Sequence, residues 1–239
     1  MVKGGPERVI EEISKPLMPF IRTNTPVEKI YQHPDQVEVV AQGQSFFADH
    51  VIVATSPVVV NKIEFEPPLP EDKQNLYANM YMGNIIKCVI TYKEPFWYRQ
   101  NLSGGILSDE GPLECTIDCG FQTKCGALIG YMIGDEAKKW SQHSREQRQE
   151  AVLQQLESFL GPEAREPMEY MEINWPQTPW IQGAYYASMA PGAMVAYGET
   201  LRKPFGQIYW AGTETSETWY GTLEGAVLAG QRSANEILR

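Results

Sequence analysis

The chain has 239 residues, of which 43% are hydrophobic and 11% aromatic, so it belongs with globular proteins and not with disordered ones. Its length allows one large domain or two small ones. Its 30 acidic residues outnumber its 20 lysines and arginines, for a net charge of -10. This charge argues against nucleic acids and anionic membranes as partners, because both are negative themselves.

The sequence shows no targeting or membrane-spanning segment. No run approaches the roughly 18–20 apolar residues of a membrane span, and the opening residues MVKGGPER lack the apolar centre of a signal peptide. Arg239 directly follows the last predicted helix, so no tail anchor is expected. We therefore expect a soluble, cytoplasmic protein without a membrane span.

Cysteine and histidine usage gives no metal signature. The cysteines are Cys88, Cys115, Cys119 and Cys125, and the histidines are His33, His50 and His143. No two cysteines have C-x-x-C spacing, and three scattered histidines do not complete a metal site. The expectation is reduced thiols, no disulfide and no metal.

The N-terminal part of the chain predicts a helix followed by short strands. Residues 7–18 have a helical pattern that Pro16 interrupts or ends. Residues 26–30 and 36–40 read as two strands around a His-Pro-Asp turn. Residues 51–55, VIVAT, form a continuous apolar run, which predicts a strand covered on both faces.

A second region is predicted between residues 63 and 174. The proline-rich residues 65–70 form a stiff linker into it, and residues 83–92 then form a strand. Further strands are predicted at 105–108, 114–118 and 127–133. A helix begins at the capping residue Ser144, keeps apolar residues at helical spacing through Leu160, and ends at Gly161.

The closing stretch, residues 208–238, predicts a short strand, a tight Ala-Gly turn, a polar loop and a helix that begins near Thr222. The packed face of this helix is predicted to contain Leu223, Ala226, Val227 and Gly230. A strand that leads through small residues into a helix presents unpaired N–H groups and the positive end of a dipole. Such a point suits an anion or an electron-rich ring.

The same stretch closely resembles the C-terminal flavin-binding motif of the flavin-dependent amine oxidases. The family's pattern is present in Ala211–Thr215 (AGTET), Trp219 and Glu224–Gly230 (EGAVLAG). The resemblance covers nearly the whole chain but only the C-terminal half of the family's fold. It implies a mixed α/β (α+β) fold, with FAD-domain portions at residues 1–66 and 179–239 and a mixed-sheet substrate-domain portion with flanking helices at 67–178.

The resemblance implies FAD as the cofactor and a contact at each end of it. In relatives the valine at the position of Val27 contacts the adenine end through its backbone. Trp180 lies in a stretch, residues 175–186, that is similar to the loop crossing beneath the isoalloxazine ring. Monoamine oxidases link the flavin covalently to a cysteine at the position of Ala184, and alanine has no nucleophile. The expected FAD is therefore non-covalent.

The closing motif implies further cofactor contacts. Gly212 and Glu214 belong to the loop beside the ribityl-phosphate portion, although a glutamate near a helix start is also a common dipole partner. The N–H groups near Thr222 and Leu223 are implied to face the pyrimidine end of the ring. There the helix dipole stabilises the negative charge that develops on reduction.

Lys87 is the predicted catalytic residue. It alternates with Ile85 and Val89 in an apolar run, and burying its ammonium group costs several kcal/mol unless something compensates it. The sequence around it resembles the family's strand whose lysine holds a water near flavin N5 and assists reoxidation by O2. The alternative is a lysine whose ammonium group simply extends into solvent.

The expected substrate site is one-sided. Monoamine oxidases surround the substrate nitrogen with two tyrosines, of which Tyr185 is retained and the other is replaced by Thr222. Trp175, Trp219 or Tyr220 then completes the site. The loss of one ring weakens a cation–π contribution of about 0.5–2 kcal/mol. The resemblance therefore leaves aliphatic amines, bulkier amines and amino acids open as substrates.

The nucleotide-binding first half of the family is missing from this sequence. The glycines at 126, 130 and 134 have G-x3-G-x3-G spacing, which suits closely packed strands and not the G-x-G-x-x-G loop that binds the ADP part of FAD. Either a second chain supplies that half, or this is part of a longer protein, or FAD binding has been lost.

Two functions follow from these observations. The first is FAD-dependent oxidation of a small amine or amino acid to an imine with reduction of O2 to H2O2, in partnership with a Rossmann-bearing chain or in a homo-oligomer. The second is a non-catalytic, FAD-free subunit that keeps the fold and docks to a partner.

Overall fold

The computed structural model of the protein describes residues 5–120 and 125–239. Within these residues a mixed α/β fold contains seven α-helices and thirteen β-strands. The helices are α1 (Glu7–Ser14), α2 (Pro57–Val60), α3 (Glu71–Ala78), α4 (Gly134–Trp140), α5 (Arg145–Leu160), α6 (Ala193–Tyr197) and α7 (Leu223–Ile237). The strands are β1 (Val27–Gln32), β2 (Val37–Ala41), β3 (Gln44–Ala48), β4 (Val51–Val53), β5 (Glu64–Glu66), β6 (Met80–Met82), β7 (Ile85–Tyr92), β8 (Ile106–Leu107), β9 (Cys115–Asp118), β10 (Gly126–Ile133), β11 (Glu169–Asn174), β12 (Ala187–Met189) and β13 (Ile208–Trp210).

The strands form four sheets within the described residues. The largest is antiparallel, with the order β11-β7-β10-β9-β8. A second sheet has the order β3-β2-β1-β5, in which β5 runs parallel to β1. The remaining two sheets are the antiparallel pair β12-β6 and the parallel pair β13-β4.

Two separate cores hold these sheets in place. The first lies between one face of the five-stranded sheet and α5, and includes Ile86, Trp97 and Leu156. The second joins the antiparallel strands β1, β2 and β3, which we call the β-meander, to α3 and the β13-β4 pair, and includes Ile30 and Trp210. Because strand residues alternate between faces, the opposite face of the five-stranded sheet is outside the first core.

The predicted helix at 145–160 is confirmed in detail. The Ser144 hydroxyl accepts a hydrogen bond from the Gln147 N–H at 3.2 Å, and the Gln147 side chain accepts one from the Ser144 N–H at 2.9 Å. This reciprocal pair satisfies two N–H groups that the helix cannot satisfy itself. Gly161 ends the helix with a φ of 96°, a conformation that favours glycine.

We expect Ser144→Ala to lower the free energy of unfolding by about 1 kcal/mol, because the capping bond is lost. Ser158→Ala is the matched control within the same helix. Its hydroxyl bonds to the Gln155 carbonyl, and alanine is the better helix former. Urea unfolding of both variants checks the prediction, and equal stabilities would contradict it.

The strand predicted at 51–55 is not covered on both faces. The structure has β4 at 51–53, and the Ile52 side chain is 38% exposed. Its only partner among the described strands is β13, so this parallel pair lacks the wider, doubly covered sheet in which such strands normally lie.

The predicted packed face of α7 is also wrong. The buried positions are Gly225, Ala229 and Ser233, whereas Leu223 and Val227 are exposed. A Cβ on Gly225 would collide with the Trp219 carbonyl oxygen, and the Ser233 hydroxyl donates to the Trp210 carbonyl at 2.5 Å. Close backbone approach therefore selects the small-residue face for packing, and the described residues leave the larger apolar face uncovered.

The N-terminal helix has a similar uncovered face. The predicted end near Pro16 is confirmed, since α1 gives way to a 3-10 turn at residues 15–20. No residue of α1 is buried, and Ile10, Ile13 and Leu17 are each about half exposed. Within the described residues, apolar side chains on both α1 and α7 are therefore left exposed.

Candidate functional site

The closing loop is built so that α7 begins at a fixed point. Gly212 adopts a φ of 99°, which favours glycine, and turns the chain after β13. The Thr222 hydroxyl accepts from the Gly225 N–H at 3.1 Å and donates to the Trp219 carbonyl at 2.7 Å. These bonds leave the N–H groups of Leu223 and Glu224 as first-turn donors without an acceptor among the described residues, beside the positive end of the helix dipole.

A second segment, residues 184–187, is fastened to this loop. The buried Glu214 carboxylate accepts from the Ala187 N–H at 2.9 Å, and the Tyr220 hydroxyl donates to the Ala187 carbonyl at 2.5 Å. Burial, with the nearby Glu214 carboxylate, raises the pKa of Tyr220 to about 12. The Tyr186 ring packs so closely on Gly221 that a Cβ there would collide with it. The hydrogen bond between Glu214 and the Ala187 N–H, which holds the two segments together, was not predicted from the sequence.

Three of the aromatic residues predicted for the site are exposed. Trp180 and Tyr185 are more than half exposed, and Trp219 is 66% exposed. Trp219 also adopts a φ of 57°, which is uncommon for a large side chain. Trp175 differs, because its indole N–H is buried without an acceptor among the described residues.

Lys87 was predicted to be buried, but the structure leaves it only half-buried. The alternation of β7 directs Ile86 and Cys88 into the first core and Lys87 to the open face. Its nearest neighbours in register are Tyr131 on β10 and Ile173 on β11, and its Nζ lies 6.0 Å from the Tyr131 ring centroid. The side chain therefore lies on the half-buried face of the sheet that is outside the first core.

Tyr131 connects Lys87 to the loop region. Burial, followed by the neighbouring Tyr131 and its hydroxyl, raises the pKa of Tyr185 to about 12. The Ala184 N–H donates to the Gly83 carbonyl at 2.9 Å, which ties the segment to the residues just before β7. The structure thus brings Lys87, Tyr185 and the start of α7 to one region through residues 184–187.

A separate cleft of about 520 Å³ brings together Val27 and Trp180. It lies between the β-meander and the β13-β4 pair, and its charged lining residues are Arg22 and Lys62. The Lys62 Nζ donates to the Pro179 carbonyl at 2.7 Å and lies 5.5 Å from the Trp180 ring centroid. An apolar cleft with two cations suits a flat, anionic cofactor.

The described residues have the chemistry that a flavin needs. The free N–H groups at the start of α7 suit a carbonyl that gains negative charge, and Lys87 supplies a cation on the five-stranded sheet. The cleft at Val27 and Trp180 offers an apolar wall. The Thr222 hydroxyl, predicted to be near both substrate and cofactor, caps α7 through its bonds to Gly225 and Trp219.

Sequence reasoning missed two residues of this site. Tyr131 follows from strand pairing, because it lies directly opposite Lys87, but a single sequence does not give that register. Lys62 has no sequence signal beyond its position just after α2. Neither would have been found without the tertiary arrangement.

Metal and membrane features are absent from the described residues. Residues 5–120 and 125–239 contain no group of three His, Cys, Asp or Glu side chains placed to hold a metal ion. None of the helices in these ranges has the length and apolar character needed to cross a bilayer.

Comparisons with known proteins show the family of this chain. A sequence model of the family described as flavin containing amine oxidoreductase matches residues 1–238. Flavin-containing amine oxidase B of Sus scrofa is 37% identical, over 98% of this chain and 46% of that protein. An L-amino acid dehydrogenase of Synechocystis sp. is 33% identical, over 100% of this chain and 51% of that protein. Wild-type putrescine oxidase bound to putrescine has a TM-score of 0.90 at 30% identity, over 99% of this chain and 53% of that one. The chain spans about half the length of the relatives it matches.

Proposed function

The chain belongs to the flavin containing amine oxidoreductase family, and from that premise we propose that it supplies the substrate side of an FAD-dependent amine oxidase. The observation that carries the proposal is the convergence of Lys87, Tyr185 and the start of α7 through residues 184–187. The relatives' names refer to amines, an L-amino acid and putrescine, so family membership alone does not select the substrate.

The proposed reaction removes a hydride equivalent, two electrons and a proton, from the carbon next to an amine nitrogen, and a second proton from the nitrogen itself. The imine formed is hydrolysed to a carbonyl compound and ammonia, and O2 takes up the two electrons with two protons to give H2O2. When bound, the flavin accepts the hydride equivalent and passes the electrons on. No protein nucleophile or acid pair is required.

The protein residues bind, orient and stabilise charge. The exposed Tyr185 ring orients the substrate nitrogen, with Trp219 nearby in the closing loop. Lys87 stabilises the negative charge that forms on oxygen during reoxidation. With FAD bound, the first-turn N–H groups of α7 would stabilise negative charge at the pyrimidine end of its ring. Val27, Trp180, Gly212 and Glu214 would hold the cofactor.

The ADP part of FAD requires residues outside this sequence. The uncovered faces of α1 and α7 and the narrow β13-β4 sheet are the surfaces against which a Rossmann-bearing half would pack. We propose the division into FAD-domain portions at 1–66 and 179–239 and a substrate-domain portion at 67–178. The missing half lies on a second chain or on another part of the same protein.

We expect Ala184→Cys to convert non-covalent FAD into covalently bound flavin. Ala184 is buried, and its backbone is fixed by the bond from its N–H to the Gly83 carbonyl, so the new thiol has a defined position. Acid precipitation of the FAD-loaded complex should leave a yellow pellet for the cysteine variant. Ala184→Ser is the matched control and should release all its flavin, as should the unsubstituted protein. Complete release from the cysteine variant would contradict the proposed position of the ring.

The function is tested by assaying the FAD-loaded complex with primary amines. For each O2 consumed, one molecule each of H2O2, ammonia and the carbonyl product should be formed. A complex that binds FAD, but whose flavin is not reduced by any amine or amino acid in the absence of oxygen, would contradict the proposal and favour a non-catalytic subunit.

A further inference from the structure

Side chains of the closing loop (residues 211–222) bond to the free edge of strand β12. Ala187 is the first residue of that strand and pairs with Met82 of β6. The Glu214 carboxylate accepts a hydrogen bond from the Ala187 N–H at 2.9 Å, and the Tyr220 hydroxyl donates one to the Ala187 carbonyl at 2.5 Å. Two side chains therefore occupy the place that a neighbouring strand has in a sheet.

The geometry of the strand pair explains why Ala187 needs these partners. Backbone groups of successive residues in an antiparallel pair point alternately towards the partner strand and away from it. The Ala190 N–H bonds to the Asn79 carbonyl across the pair at 2.8 Å, so the backbone groups of Ala187, three residues earlier, face away from β6. Ala187 is 0% exposed, and a buried carbonyl that loses its donor lowers stability because water does not replace the donor.

The ring of Tyr220 is fixed as well as its hydroxyl. It packs edge-to-face on Tyr186, with ring centroids 5.0 Å apart and planes at 85°, an arrangement that aromatic pairs favour. Tyr186 in turn packs so closely on Gly221 that a Cβ there would collide with its ring. Tyr186 is thereby held against the closing loop, whereas the preceding residue, Tyr185, remains 61% exposed.

The backbone around Tyr185 is held on both sides of that residue. Before it, the Ala184 N–H donates to the Gly83 carbonyl at 2.9 Å. After it, both backbone groups of Ala187 are bonded to the closing loop. The position of the Tyr185 ring therefore depends on bonds that its own side chain does not make.

We propose, on the basis of the proposed function, that Tyr220 positions Tyr185 relative to the flavin and acts through Ala187 instead of contacting the substrate. The hydroxyl of Tyr220 bonds to the residue two positions after Tyr185, and Tyr220 itself lies two positions before Thr222, whose hydroxyl caps α7. One phenol thus connects the ring that orients the substrate nitrogen to the helix start that faces the cofactor.

Half-reaction kinetics of Tyr220→Phe test the proposal. Phenylalanine keeps the ring against Tyr186 and removes only the hydroxyl. In the FAD-loaded complex we expect the rate of flavin reduction by n-hexylamine without oxygen to fall about 10-fold, because a displaced Tyr185 no longer aligns the amine with the ring. Reoxidation by O2 does not use Tyr185 and should change by less than about 2-fold. A normal reduction rate, or an equal loss in both half-reactions, would overturn the proposal.

Two control variants separate positioning from a general loss of stability. Tyr92→Phe removes the same kind of bond in the first core, where the tyrosine hydroxyl donates to the Ala164 carbonyl at 3.1 Å. It should lower the thermal stability, as Tyr220→Phe does, but leave flavin reduction unchanged. Tyr186→Phe removes a hydroxyl that makes no hydrogen bond within residues 5–120 and 125–239, and should change neither property. Reduction slowed as much in Tyr92→Phe as in Tyr220→Phe would contradict a positioning role.

A spectroscopic measurement distinguishes failure of this proposal from failure of the proposed function. With 3-fluorotyrosine incorporated at position 185 alone, the fluorine NMR resonance of the complex reports the surroundings of that ring whether or not an amine is oxidised. Tyr220→Phe should shift or broaden this resonance, and Tyr92→Phe should not. If no amine reduces the unsubstituted complex, the oxidase reaction is refuted and the resonance still decides the positioning role. An unchanged resonance in Tyr220→Phe would overturn that role.

Discussion

Replacing Lys87 with methionine is expected to slow reoxidation of the reduced complex by O2 about 100-fold. Electron transfer to O2 creates negative charge, and Lys87 is the cation that the open face places beside Tyr131, with its Nζ 6.0 Å from that ring centroid. Methionine keeps the length and apolar stem of lysine but removes the charge. Stopped-flow mixing of reduced complex with oxygenated buffer measures the rate directly.

The companion measurements show whether the effect is specific. Reduction of the flavin by amine without oxygen should change far less, because the lysine is assigned to the oxidative half-reaction. Lys87→Arg keeps the charge and should recover part of the rate. Lys138→Met removes an exposed lysine that pairs only with neighbouring Asp135 on α4, and should have no effect. A normal reoxidation rate in Lys87→Met would remove the lysine from the proposed mechanism.

The second large effect concerns stability and arises from Lys73 on α3. Its side chain is 2% exposed, its Nζ lies 4.2 Å from the Trp210 ring centroid, and its hydrogen bond to the Leu201 carbonyl is long at 3.4 Å. Burial lowers the pKa of Lys73 to about 7, with Lys203 and Arg232 acting in the same direction and Asp72 opposing them. An ammonium group in this position lacks a carboxylate partner and costs stability.

We expect Lys73→Met to raise the free energy of unfolding by about 2–4 kcal/mol near pH 7. The folded pKa lies below the unfolded value of about 10.4, so the unfolded state binds more protons between these values and the stability of the unsubstituted chain rises with pH across that window. Below pH 7 the cost is constant. The advantage of methionine should therefore shrink from pH 7 towards pH 10.

Urea unfolding across this pH range checks the prediction. Lys138→Met is the control, since its exposed ion pair contributes little. A pH-independent difference between Lys73→Met and the unsubstituted chain would contradict the assignment, as would a loss of stability at pH 7. The first outcome would mean that Lys73 remains charged when folded.

Much of the fold follows from local patterns in the sequence. Strands β7, β9 and β10 lie close to their predicted ranges because alternation, β-branched residues and flanking turn residues agree there. The helix from 145 to 160 was predictable because its cap, apolar spacing and terminal glycine are consistent with one another. The family resemblance then supplied what no local pattern contains, the relation of the closing loop to a flavin.

The failures share one physical cause, which is that packing depends on what lies opposite. Apolar periodicity predicts Leu223 and Val227 as the packed face of α7, but the nearby Trp219 and Trp210 carbonyls require glycine and serine instead. Lys73 was missed although helical spacing puts it on one face with Leu76 and Tyr77, which are also buried. A sequence does not show whether such a lysine is enclosed.

Flavin uptake tests the central claim most directly, namely that residues 208–238 and Lys87 form one wall of an FAD site. The measurement is the visible flavin absorbance of this chain after gel filtration with FAD, alone and together with a Rossmann-bearing half from its own protein or partner. We expect the reconstituted complex to elute yellow and to be bleached by n-hexylamine in the absence of oxygen. A complex of both halves that elutes colourless from excess FAD would contradict the account.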